Sequence, residues 1–255
     1  MANGHGLVTG LKDSVFNYTD YMPERFLHYH QQIVHVLELA PKFVLEIGPG
    51  DHTVTDFLRR KGIEVETYDN DVKLSPTYLG DIREDLVTHQ RYDLVLASEV
   101  FEHMNIKWLP RILSNIRRVM TDNGALVVSL PYSTLRLFPP RRDYGKVISC
   151  EGRLQTHIPL HYIHRLLWPL RVLYRLAVQR HALRSALASV IPSYPDDKFD
   201  VHHWDLGVAP TTRRFVRKVL QTQFVIVSEK AYVNTNCVFF VLRKVQAGAF
   251  DPTSR

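Results

Sequence analysis

Three short stretches carry acids and glycines at spacings that suit a nucleoside ligand. Glu46-Ile47-Gly48-Pro49-Gly50 follows an apolar run and precedes a helical one. Small residues in such a turn let the backbone approach a ligand, and the helix N-terminus behind it favours partial negative charge. Alone, the turn could equally be a tight chain reversal. Asp69 gives it meaning, because it follows Gly48 by 21 residues and ends a second strand-like run. A carboxylate there can accept from both hydroxyls of a ribose. Gly80-Asp81-Ile82 then adds an acid placed to accept from an adenine amino group, with Ile82 over the ring. No GKS or GKT and no second glycine pair follow, so a polyphosphate is a poor guest.

These residues need strands to hold them. Phe43–Ile47, 63–68, Tyr78-Leu79, Tyr92–Ala97 and Ala125–Leu130 are strand-length runs separated by helical patterns at 54–61 and 108–120, with Asn123-Gly124 read as the stop of the latter. Alternating strands and helices call for a parallel sheet, whose ligands lie across the carboxyl ends of its strands. Pro23–Leu39 has the apolar spacing of a helix preceding the first strand. After Pro210 the pattern resumes with a helix over 211–221 and strands over 224–228 and 235–242, read as an antiparallel edge pair.

Between Tyr132 and Pro210 the alternation stops. A structureless loop of that length is implausible in a compact domain, so an insertion with its own helices is expected, at 157–167 and 169–190. The expected division is an N-terminal helical lid (1–40), a cofactor-binding core (41–131), a helical and loop acceptor-site insertion (132–210) and a C-terminal part of the core (211–255). Thirty-two Lys and Arg against 26 Asp and Glu leave +6, with pI near 9.3. Residues 132–190 alone carry ten basic and two acidic side chains, net +8, so the rest is near neutral. The charge therefore speaks of an anionic acceptor or a peripheral contact rather than a chain-wide nucleic-acid surface. Two cysteines, Cys150 and Cys237, suit a reducing compartment and exclude a four-cysteine zinc site. No signal-peptide pattern and no apolar run of membrane-spanning length occurs, so a cytoplasmic protein is expected.

Taken together, Val44–Gly50, Tyr68-Asp69-Asn70-Asp71, Gly80-Asp81-Ile82, Tyr92–His103 and Ser129-Leu130-Pro131-Tyr132 resemble the class I S-adenosylmethionine-dependent methyltransferases, in particular the small-molecule type 11 group. The likeness covers roughly residues 40–132. It implies S-adenosyl-L-methionine as cofactor. It also implies a Rossmann-like α/β fold with a seven-stranded, mostly parallel sheet whose last strand is antiparallel. By that resemblance Glu46, Gly48 and Gly50 line the methionine part, Asp69 holds the ribose, Asp81 and Ile82 bracket the adenine, and Ser98 and Glu99 lie beneath the sulfonium. Val201–Gly207 (VHHWDLG) is similar to an EHxWEI-type signature of bacterial methyltransferases linked to sugar modification, in which histidines, Trp and acid face the site mouth. It departs at Val201, where an acid is commoner.

Methyl transfer from a sulfonium demands alignment more than activation. An alcohol acceptor must also lose a proton, for which a histidine near neutrality is suited. The candidates are His103, His202 and His203, with Asp205 orienting one of them; the His202-His203 pair is preferred. Tyr132, Arg141, Arg142 and Trp204 are the expected acceptor contacts, the guanidinium forks matching phosphate or carboxylate. The acceptor is thus read as a small phosphorylated or glycosidic metabolite, methylated on oxygen. The i, i+1, i+3 spacing of His202, His203 and Asp205 forms no recognised ligand set, so a metal-free site is expected. Ala97-Ser98-Glu99 replaces the Asn/Asp-Pro-Pro-aromatic turn that grips nucleobase amines, which argues against nucleic acid. An RNA methyltransferase and a non-catalytic adenosyl-ligand or membrane-binding module are the rival readings. The apolar stripe of 170–187 is read as a lid, with contact to an anionic membrane as the alternative.

Overall fold

The apolar runs become the middle of one sheet. The computed structural model describes residues 23–132, 134–136, 149–150, 157–159, 202–207, 211–232 and 235–244. Strands β1 (Phe43–Ile47), β2 (Glu64–Asp69), β3 (Tyr78–Leu79), β4 (Tyr92–Ser98) and β5 (Met120–Pro131) alternate with helices α2 (Thr53–Arg60) and α3 (Leu109–Val119), after an opening helix α1 (Pro23–Leu39). Strands β6 (Thr134–Arg136), β7 (Ser149–Cys150) and β8 (His157–Pro159) come next, and helix α4 (Arg213–Leu220) precedes β9 (Phe224–Tyr232) and β10 (Cys237–Lys244). The sheet order is β3-β2-β1-β4-β5-β10-β9-β7. Seven strands make the expected mixed sheet, with β10 antiparallel to both β5 and β9, and β7 adds two residues antiparallel to the end of β9.

Period-two alternation sorts each central strand between two cores. Val44, Leu94, Leu96, Val127, Phe239 and Val241 face α1 and α2 with Val36, Val54 and Leu58. Leu45, Val95, Ala97, Leu126, Val128 and Phe240 face the other side with Ile112, Leu113 and Ile116 of α3 and Val216 and Leu220 of α4. Each fully buried Leu or Val contributes about 1.5–3 kcal/mol relative to exposure, so a sheet covered on both faces is rigid at its strand ends. β1 pairs in parallel with both β2 and β4. Strand order therefore reverses beside β1, and a crevice opens at its carboxyl end.

Three local readings change. Asn123-Gly124 does not stop α3: the helix ends at Val119 because Met120 turns extended, and the pair lies inside β5. The first residues of the expected helix at 157–167 form β8, paired antiparallel with β6. Pro159 accounts for this, since the residue before a proline is driven from the helical region. The insertion thus carries strands in its described parts. Residues 160–190, with the second expected helix, lie outside the described residues, as does most of 1–40 ahead of α1. Among the described residues no helix is long and apolar enough to cross a membrane.

Candidate active site

The chain leaves β1 through a turn that places two glycines in the left-handed region. Gly48 sits at φ +71° and Gly50 at +57°, a region open mainly to glycine. A Cβ on Gly48 would also stand 2.6 Å from Val100 Cγ2. The Gly48 amide donates to Tyr68 O at 3.0 Å, which locks the turn to the end of β2. Asp51 caps the start of α2, accepting from Thr53 N at 3.0 Å, and its other oxygen accepts from Tyr29 OH of α1 at 2.9 Å.

A cavity of about 570 Å³ opens over this turn, lined among others by Gly48, Gly50, Asp69, Asp81, Ile82, Glu99 and His103. Six of the eight residues expected around a cofactor therefore share one wall. Asp69 ends β2; its Oδ1 accepts from Asp71 N at 2.8 Å, and burial raises its pKa. Gly80 follows because Tyr68 lies over it: a Cβ there would meet the phenolic oxygen at 2.2 Å. Asp81 is held by Arg83, whose backbone N–H donates at 2.8 Å and whose guanidinium reaches both oxygens at 2.5–3.0 Å. Burial pushes this carboxyl up, but the Arg83 hydrogen bonds and charge outweigh it and hold the pKa below the ordinary value.

Glu46 and Ser98 do not line the cavity. Glu46 shares its strand face with Val44, toward α2, and accepts from Thr55 Oγ1. Burial lifts its pKa from 4.5 to about 7, against the Thr55 hydrogen bond. Ser98 belongs to a polar knot at the ends of β4 and β5. Ser129 Oγ donates to Glu99 Oε1 at 3.0 Å and accepts from Glu99 N at 3.1 Å; Ser98 Oγ and His28 Nε2 lie 2.7 and 3.1 Å from the same hydroxyl. His28 comes from α1. Burial, with the Arg25 charge added, lowers its pKa to about 4, so it stays neutral. Glu99 itself takes φ +53°, a strained conformation for a side chain of its size that persists only where surroundings fix it.

The far wall joins distant segments. Residues 202–207 dock beside the ends of β4 and β5, with His203 N donating to Glu102 O at 2.7 Å and Leu206 N to Pro131 O at 3.0 Å. His202 Nδ1 lies 2.9 Å from Asp205 Oδ1, and its ring meets His103 edge-on, centroids 4.9 Å apart. The Asp205 hydrogen bond raises the His202 pKa, against burial. Glu102 is fully buried beside them. Burial lifts Glu99 to about 7, and burial with the Glu99 charge lifts Glu102 well above the ordinary carboxyl value.

The VHHWDLG stretch thus divides. His202, held by Asp205, packs against His103, which lines the cavity, whereas His203 contributes its backbone N–H to hold the segment. Trp204 is 7% exposed and donates Nε1–H to Met104 O at 2.9 Å, so it packs in the core rather than offering a face to an acceptor. Tyr132 is likewise buried, in an isolated bridge with Leu206. Arg141 and Arg142 lie outside the described residues. The sequence assigns no role to Glu102, His28 or Ser129; Glu102 and Ser129 stand within the Tyr92–His103 and Ser129–Tyr132 stretches, but the burial of Glu102 depends on the docking of a segment a hundred residues away.

A family model described as a methyltransferase domain matches residues 18–188, most of the chain. The chain belongs to the methyltransferase domain family. Its sheet is that of the class I S-adenosylmethionine-dependent enzymes. The pyocyanin biosynthetic protein PhzM superposes with a TM-score of 0.50 at 14% identity, covering 87% of this chain and 55% of that one. N-methyltransferase NodS from Bradyrhizobium japonicum WM9, in complex with S-adenosyl-L-homocysteine, gives 0.50 at 14%, covering 89% and 90%. Protein PH0226 from Pyrococcus horikoshii OT3 gives 0.50 at 13%, covering 87% and 90%. At such identities the likeness is one of fold. No curated protein matches the chain in sequence.

S-adenosylmethionine, the cofactor that the class I resemblance implies, fits the residues present. Gly48 leaves the backbone bare where a Cβ would crowd Val100, Asp69 offers a carboxylate to the cavity at the end of β2, and Ile82 gives the cavity an apolar wall beside Asp81. The departure is Arg83, which already engages both oxygens of Asp81.

Proposed function

We propose that this methyltransferase transfers the methyl group to an oxygen of a small acceptor, anionic or glycosidic, held at the His103, His202 and Asp205 end of the cavity. One observation carries the reading. The cavity wall that holds Gly48, Gly50, Asp69 and Ile82 continues into Glu99 and His103, and His103 contacts the Asp205-bound imidazole of His202. A nucleoside end and a proton-handling end therefore meet in one space.

The bound cofactor supplies an electrophilic methyl carbon on a sulfonium, a leaving group that needs no protonation. What remains for the chain is to align and to exclude water. The glycine turn and the start of α2 would hold the cofactor's amino-acid end, Asp69 the ribose, and Asp81 with Ile82 the adenine. Glu99, fixed by Ser129 and partly neutral near pH 7, would sit below the reacting carbon. A hydroxyl acceptor gives up its proton at the histidine–carboxylate end, where Asp205 fixes the proton of His202 on Nδ1 and leaves Nε2 its lone pair. Arg141 and Arg142 are the proposed partners of an anionic acceptor group.

Purified protein incubated with methyl-labelled cofactor and a panel of sugar and phosphorylated hydroxyl compounds tests this reading. Label should appear on oxygen and be lost in His202→Ala. Label recovered on nitrogen, or transfer undiminished in that variant, would overturn the oxygen-acceptor reading.

A further inference from the structure

The histidine–carboxylate end holds one group that its proton-handling role leaves unexplained. Glu102 is 0% exposed, and neither carboxylate oxygen has a hydrogen-bond partner among the described residues. A buried carboxyl left without hydrogen-bond partners costs about 1–3 kcal/mol even in its neutral form, and more when ionised. The neighbouring Glu99 carboxyl repels Glu102 when both are charged and favours its neutral form, and it is an acid rather than a cationic partner. What stands beside Glu102 is a pair of imidazoles. One ligand atom each from Glu102, His103 and His202 lies within 4.8 Å of the others, and His103 Nε2 is 3.9 Å from Glu102 Oε1.

From this geometry we infer that Glu102, His103 and His202 form a binding site for a divalent first-row transition cation. The inference rests on the methyltransferase reading above and deepens it, since the site sits at the acceptor end. Two imidazole nitrogens and one carboxylate oxygen match the zinc class of ions, whereas magnesium and calcium favour oxygen donors. Asp205, on Nδ1 of His202 at 2.9 Å, supplies the outer carboxylate that commonly orients a ligating histidine and leaves its Nε2 to bind. Three protein ligands leave at least one open position on the ion, and His103 lines the cavity. An acceptor hydroxyl or a water in that position becomes more acidic through the ion's charge; with the ion bound, Nε2 of His202 is a ligand and the released proton passes to solvent. The sequence spacing had pointed to a metal-free site because it compared His202 with His203 and Asp205; the fold replaces both with Glu102 and His103.

The test uses tag-free full-length protein stripped with chelator, titrated with cobalt(II) and then zinc(II), followed by visible absorption and calorimetry. One equivalent of cobalt should bind with ligand-field bands that zinc abolishes. His202→Asn and His103→Asn should each weaken binding at least tenfold, and Asp205→Asn about tenfold to a hundredfold, the usual effect of losing an outer-shell carboxylate. His202 is half-exposed, so its variant keeps the test readable if Glu102→Gln fails to fold. Absence of saturable cobalt binding, or unchanged binding in both histidine variants, overturns the site. S-adenosylhomocysteine binding to the same stripped protein separates the two readings. Cofactor binding without ion binding refutes the ion site, whereas ion binding without cofactor binding refutes the methyltransferase site.

Discussion

Glu46→Gln should make the protein more stable, by an amount that grows with pH. In the native chain Glu46 is 3% exposed, faces α2 and accepts a hydrogen bond from Thr55. The amide oxygen of glutamine can accept the same bond, so the variant removes the ionisation and keeps the contact. Burial raises the carboxyl from 4.5 to about 7. At about 1.4 kcal/mol per tenfold, that difference favours the neutral form by about 3 kcal/mol. The native state binds more protons than the unfolded state between those values. Its stability from this group is therefore full below pH 4.5 and is lost as pH rises through about 7. Urea unfolding of both proteins from about pH 5 to 8.5 should show the variant's advantage growing by about 2–3 kcal/mol. A pH-independent difference, or one that shrinks with rising pH, would refute the burial argument. Cofactor affinity should stay within a fewfold of wild type, because Glu46 lies outside the cavity lining. A large loss would return Glu46 to the cofactor contacts.

Three further outcomes follow. Gly80→Ala should cost about 1–3 kcal/mol in overpacking against Tyr68, with part of it recovered in the Gly80→Ala/Tyr68→Phe double variant; equal melting of wild type and Gly80→Ala would show that the turn yields. His28, lowered to about 4 by burial and by Arg25, contributes stability that is present above 6.5 and lost as pH falls toward 4. His28→Gln should abolish up to about 3 kcal/mol of that acid sensitivity, and an unchanged slope in denaturant unfolding would contradict it. In ion-free protein the His202 imidazole should titrate by NMR above the ordinary 6.5 and fall on Asp205→Asn; no change would mean the 2.9 Å contact is not held in solution.

The strands and the glycine and acid positions of the cavity wall were legible because their physics is local. Phe43–Ile47 is a continuous apolar run that must be buried on both faces, and it forms β1 over those same residues. Gly48 and Asp69 follow from strand ends and their spacing. The same alternation also tells against Glu46 as a lining residue, since period two puts it with Val44 under α2 rather than with the turn. What stayed hidden depends on distance in the chain. His28 reaches Ser129 across 101 residues, and Trp204 donates to Met104 across 100. No periodicity carries such contacts. The burial of Trp204 was hidden for that reason: its neighbours, not its type, decide that it packs. Glu102 needed both its own turn and the docked 202–207 segment before its burial had any chemical meaning.

In the proposed site the crevice beyond β1 and β2 binds S-adenosylmethionine with Asp69 on the ribose. Calorimetric titration of the purified chain with S-adenosylmethionine and S-adenosylhomocysteine tests it most directly. One saturable site per chain is expected, with Asp69→Ala weakening it about tenfold to a hundredfold, as hydrogen bonds to a charged acceptor are worth about 1.5–3 kcal/mol. No binding to the wild type, or equal affinity in Asp69→Ala, would contradict it.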